Sequence, residues 1–380
     1  MSAGEMAMTN ARLVLPDRVI TGGIAVRGAS VAAIDEGPSR VGEDLEADYL
    51  IPGLIELHTD HLESHYAPRP GVCWNPMAAL QAHDAQIATS GITTVFDALR
   101  AGMDIDEKGL GGNMGVLAEA IRTGHAEGRL RAEHFVHLRC EVSAEDVVDS
   151  LTAFVGNPHL RLVSVMDHTP GQRQFVRLDK YKQYYQGKTG MSDADLERFM
   201  AERTAAHHTY ARAHRREIVD ICRQVGIPLA SHDDATEDHV REAVQDGAAI
   251  CEFPTTLQAA RTARASGLDV LMGAPNVVRG GSHSGNVSAC ELAGRGWLDI
   301  LSSDYVPFSL LHAAFSLPQR VPGLSLPESL ALVTRNPAAA VGLGDRGQIA
   351  VEKRADLVRV GFDGDVPVVK AVWRAGRRVA

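Results

Sequence analysis

The stretch Tyr49-Leu50-Ile51-Pro52-Gly53-Leu54-Ile55-Glu56-Leu57-His58-Thr59-Asp60 decides how this chain is expected to fold. Its apolar residues predict a buried strand that ends in an imidazole and a carboxylate. Residues i and i+2 of a strand point to the same side, so His58 and Asp60 could bind one cation. The pattern alone is weak evidence, because His-x-Asp occurs again at His232-Asp233-Asp234. Its position at the end of a strand is what gives it weight.

Composition places limits on the function. The chain has 380 residues, is 45% hydrophobic and carries a formal charge of -10, which suits a globular protein and argues against a nucleic-acid-binding surface. An anionic substrate would therefore need a local basic pocket. Five cysteines without a CxxC pair make a disulfide framework unexpected and fit a reducing cytoplasm. Because the sequence shows neither a signal peptide nor a long apolar run, we expect a cytoplasmic protein without membrane contact. A homo-oligomer remains open.

Strand and helix patterns alternate along most of the chain. After the opening strand, buried-type strands are predicted at 92–96, 135–140, 160–166, 228–231, 249–253, 270–272 and 299–302. Eight strands that alternate with helices are typical of an α/β fold of the (β/α)8, TIM-like barrel type. The active site of such a barrel lies at the carboxyl ends of its strands.

Both ends of the chain show short strand patterns, at 11–15, 23–26 and 31–34, and again at 347–349, 355–358 and 368–373. We expect them to combine into a small β-sandwich domain of residues 1–50 and 346–380, beside a catalytic barrel of residues 51–345. Within the barrel, the interval 171–225 is too long for a simple crossover and must hold extra structure. Its second half is predicted to be helical, with Ser192 and Asp195 in a capping box.

The residues that follow the predicted strands are rich in metal-binding types: His58 and Asp60, Glu141, Asp167 and His168, His232 to Asp234, and Ser303 and Asp304. A single strand-end histidine is more often structural, but the whole set converges on one rim. Two divalent ions about 3.5–4 Å apart could share a bridging carboxylate there and activate water. Asp304 could be a ligand, the general base, or both.

A glycine-rich segment, 279–286, follows the seventh predicted strand and could cradle a phosphate. Its candidate substrate-binding residues are Arg279, Gly280, Gly281, Ser282, His283, Ser284 and Asn286. A flexible glycine loop is an equal alternative, and His283 could instead bind metal. Arg173, Lys180, Lys182 and Lys188 could add a basic lid, although a solvated helix face is preferred for Lys182. Basic groups at the rim of an acidic chain suggest a highly anionic substrate.

Long segments of this chain resemble the amidohydrolase superfamily. They are Leu54 to Asp60, His137 to Glu141, Met166 to Phe175, Leu229 to Thr236, Glu252 to Thr256, Gly273 to Asn286 and Leu301 to Tyr305. Within that superfamily the chain is most similar to the diphosphatases of the carbon–phosphorus lyase pathway. The resemblance implies two divalent metal ions, with zinc expected and manganese or iron as alternatives. It also implies a metal set of His58, Asp60, Glu141, His168, His232 and Asp304, in which Glu141 bridges and Asp304 accepts a proton.

The same resemblance implies the reaction. The expected substrate is a small polyanion, alpha-D-ribose 1-methylphosphonate 5-triphosphate, and the expected products are the 5-phosphate and diphosphate. His61 stands where the resemblance leads us to expect asparagine, which leaves an additional ligand open.

Two other functions are compatible with the sequence. One is a hydrolase of the same superfamily that acts on an amide, lactam or amino-purine, for which Arg173 and the Arg279 segment would matter little. The other is a barrel without activity that serves as a scaffold, which a degraded ligand set would favour. Every expected ligand type is present here.

Overall fold

The computed structural model describes residues 5–69, 71–102, 114–175, 178–282 and 285–380, apart from the side chains of Lys180 and Lys188. Within these ranges the strands form two sheets. The first sheet contains, in chain order, β6 (Leu54–Thr59), β7 (Ile92–Ala101), β8 (Glu133–Glu141), β9 (Leu160–Met166), β10 (Leu229–His232), β11 (Ile250–Glu252), β12 (Asp269–Gly273) and β13 (Ile300–Ser302). The TIM-like barrel predicted from the sequence is confirmed.

Neighbouring strands of this sheet are also neighbours in sequence, and all the pairs are parallel. A bridge between Thr59 and Asp304 joins the last strand to the first. One apolar cluster takes residues from all eight strands, among them Ile55, Phe96 and Leu162, and so fills the barrel. Polar side chains are left for the carboxyl ends of the strands.

Helices surround the barrel, and their ends follow local signals in the sequence. Asn75, Thr236 and Thr256 cap helix starts with their side chains, whereas Gly226 and Gly247 end helices in the left-handed conformation. The helices outside the long insertion are α1 (His61–Tyr66), α2 (Pro76–Thr89), α3 (Met114–Ala126), α4 (Val147–Phe154), α8 (Glu237–Asp246), α9 (Leu257–Ala265), α10 (Ala274–Arg279), α11 (Ala289–Gly294), α12 (Ser309–Arg320), α13 (Leu326–Ala331) and α14 (Arg335–Ala340). Within the covered ranges, each helix is too short or too polar to span a lipid bilayer.

The long interval between β9 and β10 holds additional helices, as the sequence predicts. A 3-10 turn at Arg173–Phe175 leads to α5 (Leu178–Thr189), α6 (Asp193–Ala206), a π-helical turn at His207–Ala211, and α7 (Arg212–Val225). The Ser192 side chain accepts a hydrogen bond from the backbone N–H of Asp195, which is one of the two bonds of the predicted capping box, and the Asp195 carboxylate accepts from the Ser192 hydroxyl at 2.6 Å. Tyr181 and Tyr185 of the tyrosine-rich segment are buried in a small aromatic core of the insertion.

The second sheet is built from both ends of the chain. Its strands are β1 (Glu5–Val14), β2 (Val19–Arg27), β3 (Ser30–Glu36), β4 (Glu43–Asp44), β5 (Tyr49–Pro52), β14 (Leu357–Gly361), β15 (Val368–Arg374) and β16 (Arg377–Arg378). The order is β16-β15-β14-β5-β1-β2-β3, with β4 beside β1. A sandwich arrangement of this sheet stays a prediction.

The strand predicted at 347–349 is wrong, because that segment is irregular. Gly347 has a left-handed backbone, with φ of 84°, and lies so close to α14 that a Cβ there would come 2.8 Å from the carbonyl oxygen of Thr334. The segment therefore turns under the helix instead of extending along the sheet.

Candidate active site

A cavity of about 360 Å³ opens at the carboxyl ends of the barrel strands. Four of its lining histidines and carboxylates come from strand ends: His58 from β6, His168 after β9, and His232 and Asp233 at the end of β10. Asp60 and Asp304 line the same cavity. The fold thus brings together five of the six residues of the predicted metal set, namely His58, Asp60, His168, His232 and Asp304.

Each of the three cavity histidines has its Nδ1 atom beside a buried carboxylate. Glu252 serves two of them, since its Oε1 lies 3.3 Å from Nδ1 of His58 and its Oε2 lies 3.2 Å from Nδ1 of His232. Glu141 Oε2 lies 2.8 Å from Nδ1 of His168. An ionised carboxylate only accepts hydrogen bonds, so each Nδ1 donates and each Nε2 is left as the basic atom. Orientation of this kind is typical of metal-binding histidines.

Asp233 lies between two of these Nε2 atoms. Its Oδ2 is 3.4 Å from Nε2 of His232 and 3.8 Å from Nε2 of His168. Ligand-type atoms of His168, His232 and Asp233 lie within 4.8 Å of one another, and so do those of His58, His232 and Glu252. Burial lowers the pKa of both His58 and His232 well below the ordinary value, which keeps them in the neutral form that binds metal. The donor set therefore fits divalent cations.

The carboxylates of the cavity repel one another. Burial, and then the charge of neighbouring Asp60, raise the pKa of Asp304 to about 8, while Arg139 opposes this rise. Burial likewise raises the pKa of Asp233 to about 6. The excess of negative charge is what a bound divalent cation would offset, and a cation would return both groups to the ionised form.

Glu141, predicted to bridge two metals, is placed behind His168. It is buried, contacts the His168 ring and accepts a hydrogen bond of 2.8 Å from the Ser143 hydroxyl. The Arg203 guanidinium is 3.9 Å from its other side. Glu141 does not appear among the described residues that line the cavity, so its contact with the cavity is through the imidazole.

The predicted phosphate segment lies at the cavity in part. Arg279, Gly281, Ser282 and Asn286 line it, whereas Gly280 ends α10 in the left-handed conformation. Asn276 closes the segment: its Nδ2 donates to the carbonyl oxygen of Val287 at 3.1 Å, and its Oδ1 accepts from the N–H of Ala289 at 3.0 Å. The predictions for His283 and Ser284 fall outside the described residues.

Arg173, predicted to bind substrate, is placed away from the cavity lining. It is buried, and its guanidinium forms ion pairs with Asp234 and, at 2.9 Å, with Glu242. Its charge is thereby committed to carboxylates of the neighbouring loop and of α8. Lys182 is half-buried and its Nζ lies 3.8 Å from Glu197 Oε1, which agrees with the preferred solvated helix face. The Lys180 and Lys188 side chains lie outside what the structure describes.

Several cavity residues were missed at the sequence level. Arg100 and Arg139 line the cavity from within β7 and β8, and Glu252 is the carboxylate shared by two histidines. Arg139 lies inside its strand rather than after it, but it shares a strand face with Glu141, so alternation along the strand is a signal for it. Glu252 lies within the sixth predicted strand, 249–253, and ends β11 in the structure, but its role depends on which histidines face it.

Backbone strain also marks the rim. Asp233, Phe253 and Asp304 are non-glycine residues with φ of 56°, 52° and 55°. Asp233 and Phe253 directly follow β10 and β11, and Asp304 lies two residues after β13. Such conformations are costly and cluster at functional sites, because the surrounding structure must enforce them. Here they turn Asp233 and Asp304 into the cavity.

Comparison with known proteins agrees with this geometry. Residues 78–380 match the Amidohydrolase family. The chain is 46% identical, over 98% of its length and 100% of the relative's, to alpha-D-ribose 1-methylphosphonate 5-triphosphate diphosphatase of Escherichia coli (strain K12).

Solved structures share the fold. N-acetylglucosamine-6-phosphate deacetylase from Pasteurella multocida superposes with a TM-score of 0.66 at 15% identity, over 99% of each chain. A 5-methylcytosine deaminase from Klebsiella pneumoniae superposes with a TM-score of 0.67 at 14% identity, over 99% of this chain and 98% of the other. At such identities the likeness concerns the fold alone. The match over four fifths of the length and the near-complete coverage of the diphosphatase together establish that the chain belongs to the amidohydrolase family.

Proposed function

We propose that this protein hydrolyses the 5-triphosphate of alpha-D-ribose 1-methylphosphonate and releases diphosphate and the 5-phosphate. The observation that carries the proposal is the 46% identity to the Escherichia coli diphosphatase across essentially the whole of both chains. The residues of the cavity support it, because imidazoles, carboxylates and arginines meet at one rim.

The metal ligands of this proposal form two groups that share His232, one with His58 and one with His168 and Asp233, and Glu252 lies beside the His58–His232 pair. We assign them two divalent cations, with zinc expected and manganese or iron as alternatives. Bound cations of this kind polarise a phosphoryl oxygen and lower the pKa of water toward neutrality. Glu141 and Glu252 orient the three imidazoles from behind.

The substrate phosphates are assigned to the basic side of the cavity. Arg139, Arg100 and Arg279 line it, and the 279–286 segment adds the polar side chains of Ser282 and Asn286. Guanidinium groups match phosphate oxygens in geometry as well as in charge. Arg139 lies 3.7 Å from Asp60, so it sits at the border between the basic and acidic parts of the cavity. A polyanion could span that border.

Asp304 is the proposed proton acceptor. It faces the cavity on a strained backbone, close enough to Asp60 for that charge to raise its pKa. A carboxylate held in this way can take a proton from the attacking water. Arg173 has a positioning role, since it holds Asp234 next to Asp233.

We also propose that residues 51–345 act as the catalytic domain, with residues 1–50 and 346–380 as a separate β-domain, and that the protein works in the cytoplasm. The substrate is then a soluble small molecule.

The test is product analysis with metal-reconstituted protein and the ribose methylphosphonate triphosphate, followed by phosphorus NMR. Diphosphate and the 5-phosphate should appear in equal amounts. Orthophosphate as the first product, or no turnover by protein loaded with metal, would contradict the proposal. Turnover of an amide, a lactam or an amino-purine in the same assay would instead favour the alternative activity.

A further inference from the structure

Three histidines come together outside the catalytic cavity, where α1 meets α2. His61 and His65 lie one turn apart on α1, and His83 is fully buried on α2. Their ring centroids are 4.8 Å apart for His61 and His65, 5.6 Å for His61 and His83, and 5.8 Å for His65 and His83. None of the three is among the described residues that line the cavity. The three rings form a compact triangle of their own.

We propose that His61, His65 and His83 bind one divalent transition-metal ion at a site separate from the catalytic centre. One ligand-type nitrogen from each ring lies within 4.8 Å of the other two. Two of these atoms, Nδ1 of His61 and Nδ1 of His83, are 3.4 Å apart. Nitrogens bound at about 2.0–2.1 Å to a tetrahedral zinc ion stand about 3.3–3.4 Å from each other. The spacing therefore needs little adjustment to take an ion.

His83 is already oriented as a metal ligand would be. Its Nε2 lies 2.8 Å from Oδ1 of Asp97, and Oδ2 of the same carboxylate lies 2.7 Å from Nδ1 of His134. His83, Asp97 and His134 are all fully buried. Because Nε2 of His83 donates to Asp97, its Nδ1 is the basic atom and points toward His61. A carboxylate behind a histidine fixes the tautomer and raises the basicity of the ligand.

His65 supplies an independent indication. Its Nε2 atom is buried and has no hydrogen-bond partner among the described atoms. Buried polar atoms are usually satisfied, and one that is not commonly points to a missing ion or water. A hydrogen bond between His61 and His83 would explain the 3.4 Å contact, but it would leave His65 Nε2 unsatisfied. An ion satisfies all three rings.

The donor set indicates the class of ion. The three grouped ligand atoms are all imidazole nitrogens, which suit zinc, cobalt, nickel or copper better than magnesium or calcium, ions that prefer oxygen ligands. An ion bound to these three histidines would also hold α1 against α2. Since α1 starts directly after Asp60, and Glu63 of α1 lines the cavity, the ion would hold one wall of the active site in place.

The test counts zinc in full-length protein that has been stripped with a chelator, reloaded with zinc alone and desalted. The His65→Ala and His65→Gln variants should each carry one zinc fewer per chain than the wild type. His208→Ala, which removes an exposed histidine from another helix, is the matched control and should carry the wild-type number. Circular dichroism confirms that each variant is folded. Variants of His65 that keep the wild-type zinc count would overturn the inference.

A second comparison separates this site from the catalytic one. In a His232→Ala background, which weakens both cavity groups, the additional His65→Gln change should still remove one zinc and should abolish the remaining rise in Tm with zinc. Neither measurement uses diphosphate release, so failure of the proposed activity would leave the zinc counts intact. Equal counts and equal Tm shifts in the single and double variants would contradict the site.

Discussion

At the scale of single residues, the catalytic rim depends on which nitrogen of each imidazole faces inward. Two buried glutamates settle this, Glu252 for His58 and His232 and Glu141 for His168. Neither glutamate needs to touch a metal ion to matter, because a partner that fixes the tautomer and basicity of a ligand is part of the site. The carboxylates behind the histidines are thus as informative as the histidines themselves.

The Glu252→Gln substitution tests whether Glu252 orients His58 and His232 for metal binding. The amide keeps one acceptor oxygen, so only one of the two imidazoles retains its Nδ1–H acceptor. We expect metal affinity to fall by about 10–100-fold. The measurement is zinc affinity by competition with a chromophoric chelator. Glu119→Gln, at an exposed glutamate of α3, is the control and should bind as the wild type does. Unchanged affinity in Glu252→Gln would refute the orienting role.

At the scale of elements, the loops after β9 and β10 support the site, whereas the segment that follows β12 lines the cavity. Arg173 joins the loop after β9 to Asp234 and to Glu242 of α8. The segment after α10 is held by Asn276, and Arg279 at the end of α10 lines the cavity together with Ser282. Two arginines that resemble each other in the sequence therefore have different physical environments, one buried and one exposed.

Arg173→Met should destabilise the fold. Removing one partner of a buried ion pair leaves Asp234 uncompensated, and such losses are about 3–5 kcal/mol. Urea denaturation should show a lower free energy of unfolding. If the variant keeps its stability and changes only the KM, Arg173 binds substrate after all.

Arg279→Met should weaken substrate binding without lowering the stability of the fold. The side chain is exposed at the cavity, so its loss should leave urea denaturation unchanged. We expect the KM for the triphosphate to rise by about tenfold, which corresponds to ~1.4 kcal/mol of lost binding, with a smaller change in kcat. Steady-state kinetics would measure both, and an unaltered KM would exclude Arg279 from the phosphate site.

At the scale of the whole molecule, Glu133 ties the barrel to the segment that returns to the second sheet. This residue begins β8 and pairs with Arg346 and Arg354. Burial alone would raise the pKa of Glu133, but the two arginines outweigh it and lower the pKa from 4.5 to about 2. The cluster joins parts of the chain more than two hundred residues apart.

The stability of the protein should depend on this carboxylate in acid. Because the folded pKa is below the unfolded value, the contribution is present above pH 4.5 and is lost as the pH falls toward 2. The difference in free energy of unfolding between wild type and Glu133→Gln should be about 2–3 kcal/mol at neutral pH, allowing for partial exposure, and should shrink below pH 4.5. Denaturation at pH 7 and pH 3 measures it. A difference independent of pH would exclude the ion pairs as its source.

The sequence by itself determined the barrel, because eight buried strands alternating with helices leave few other folds, and strand ends rich in histidine and aspartate mark one rim. It also placed His58, Asp60, His168, His232 and Asp304 together. Tertiary structure alone decided which groups face each other: Glu141 lies behind His168, Arg173 is bound to Asp234, and Arg139 lines the cavity. Strand periodicity gives the side to which a residue points, but the partner of a charge depends on segments distant in sequence. The histidine triangle of α1 and α2 follows the same rule, since His61 and His83 meet only through packing of the two helices.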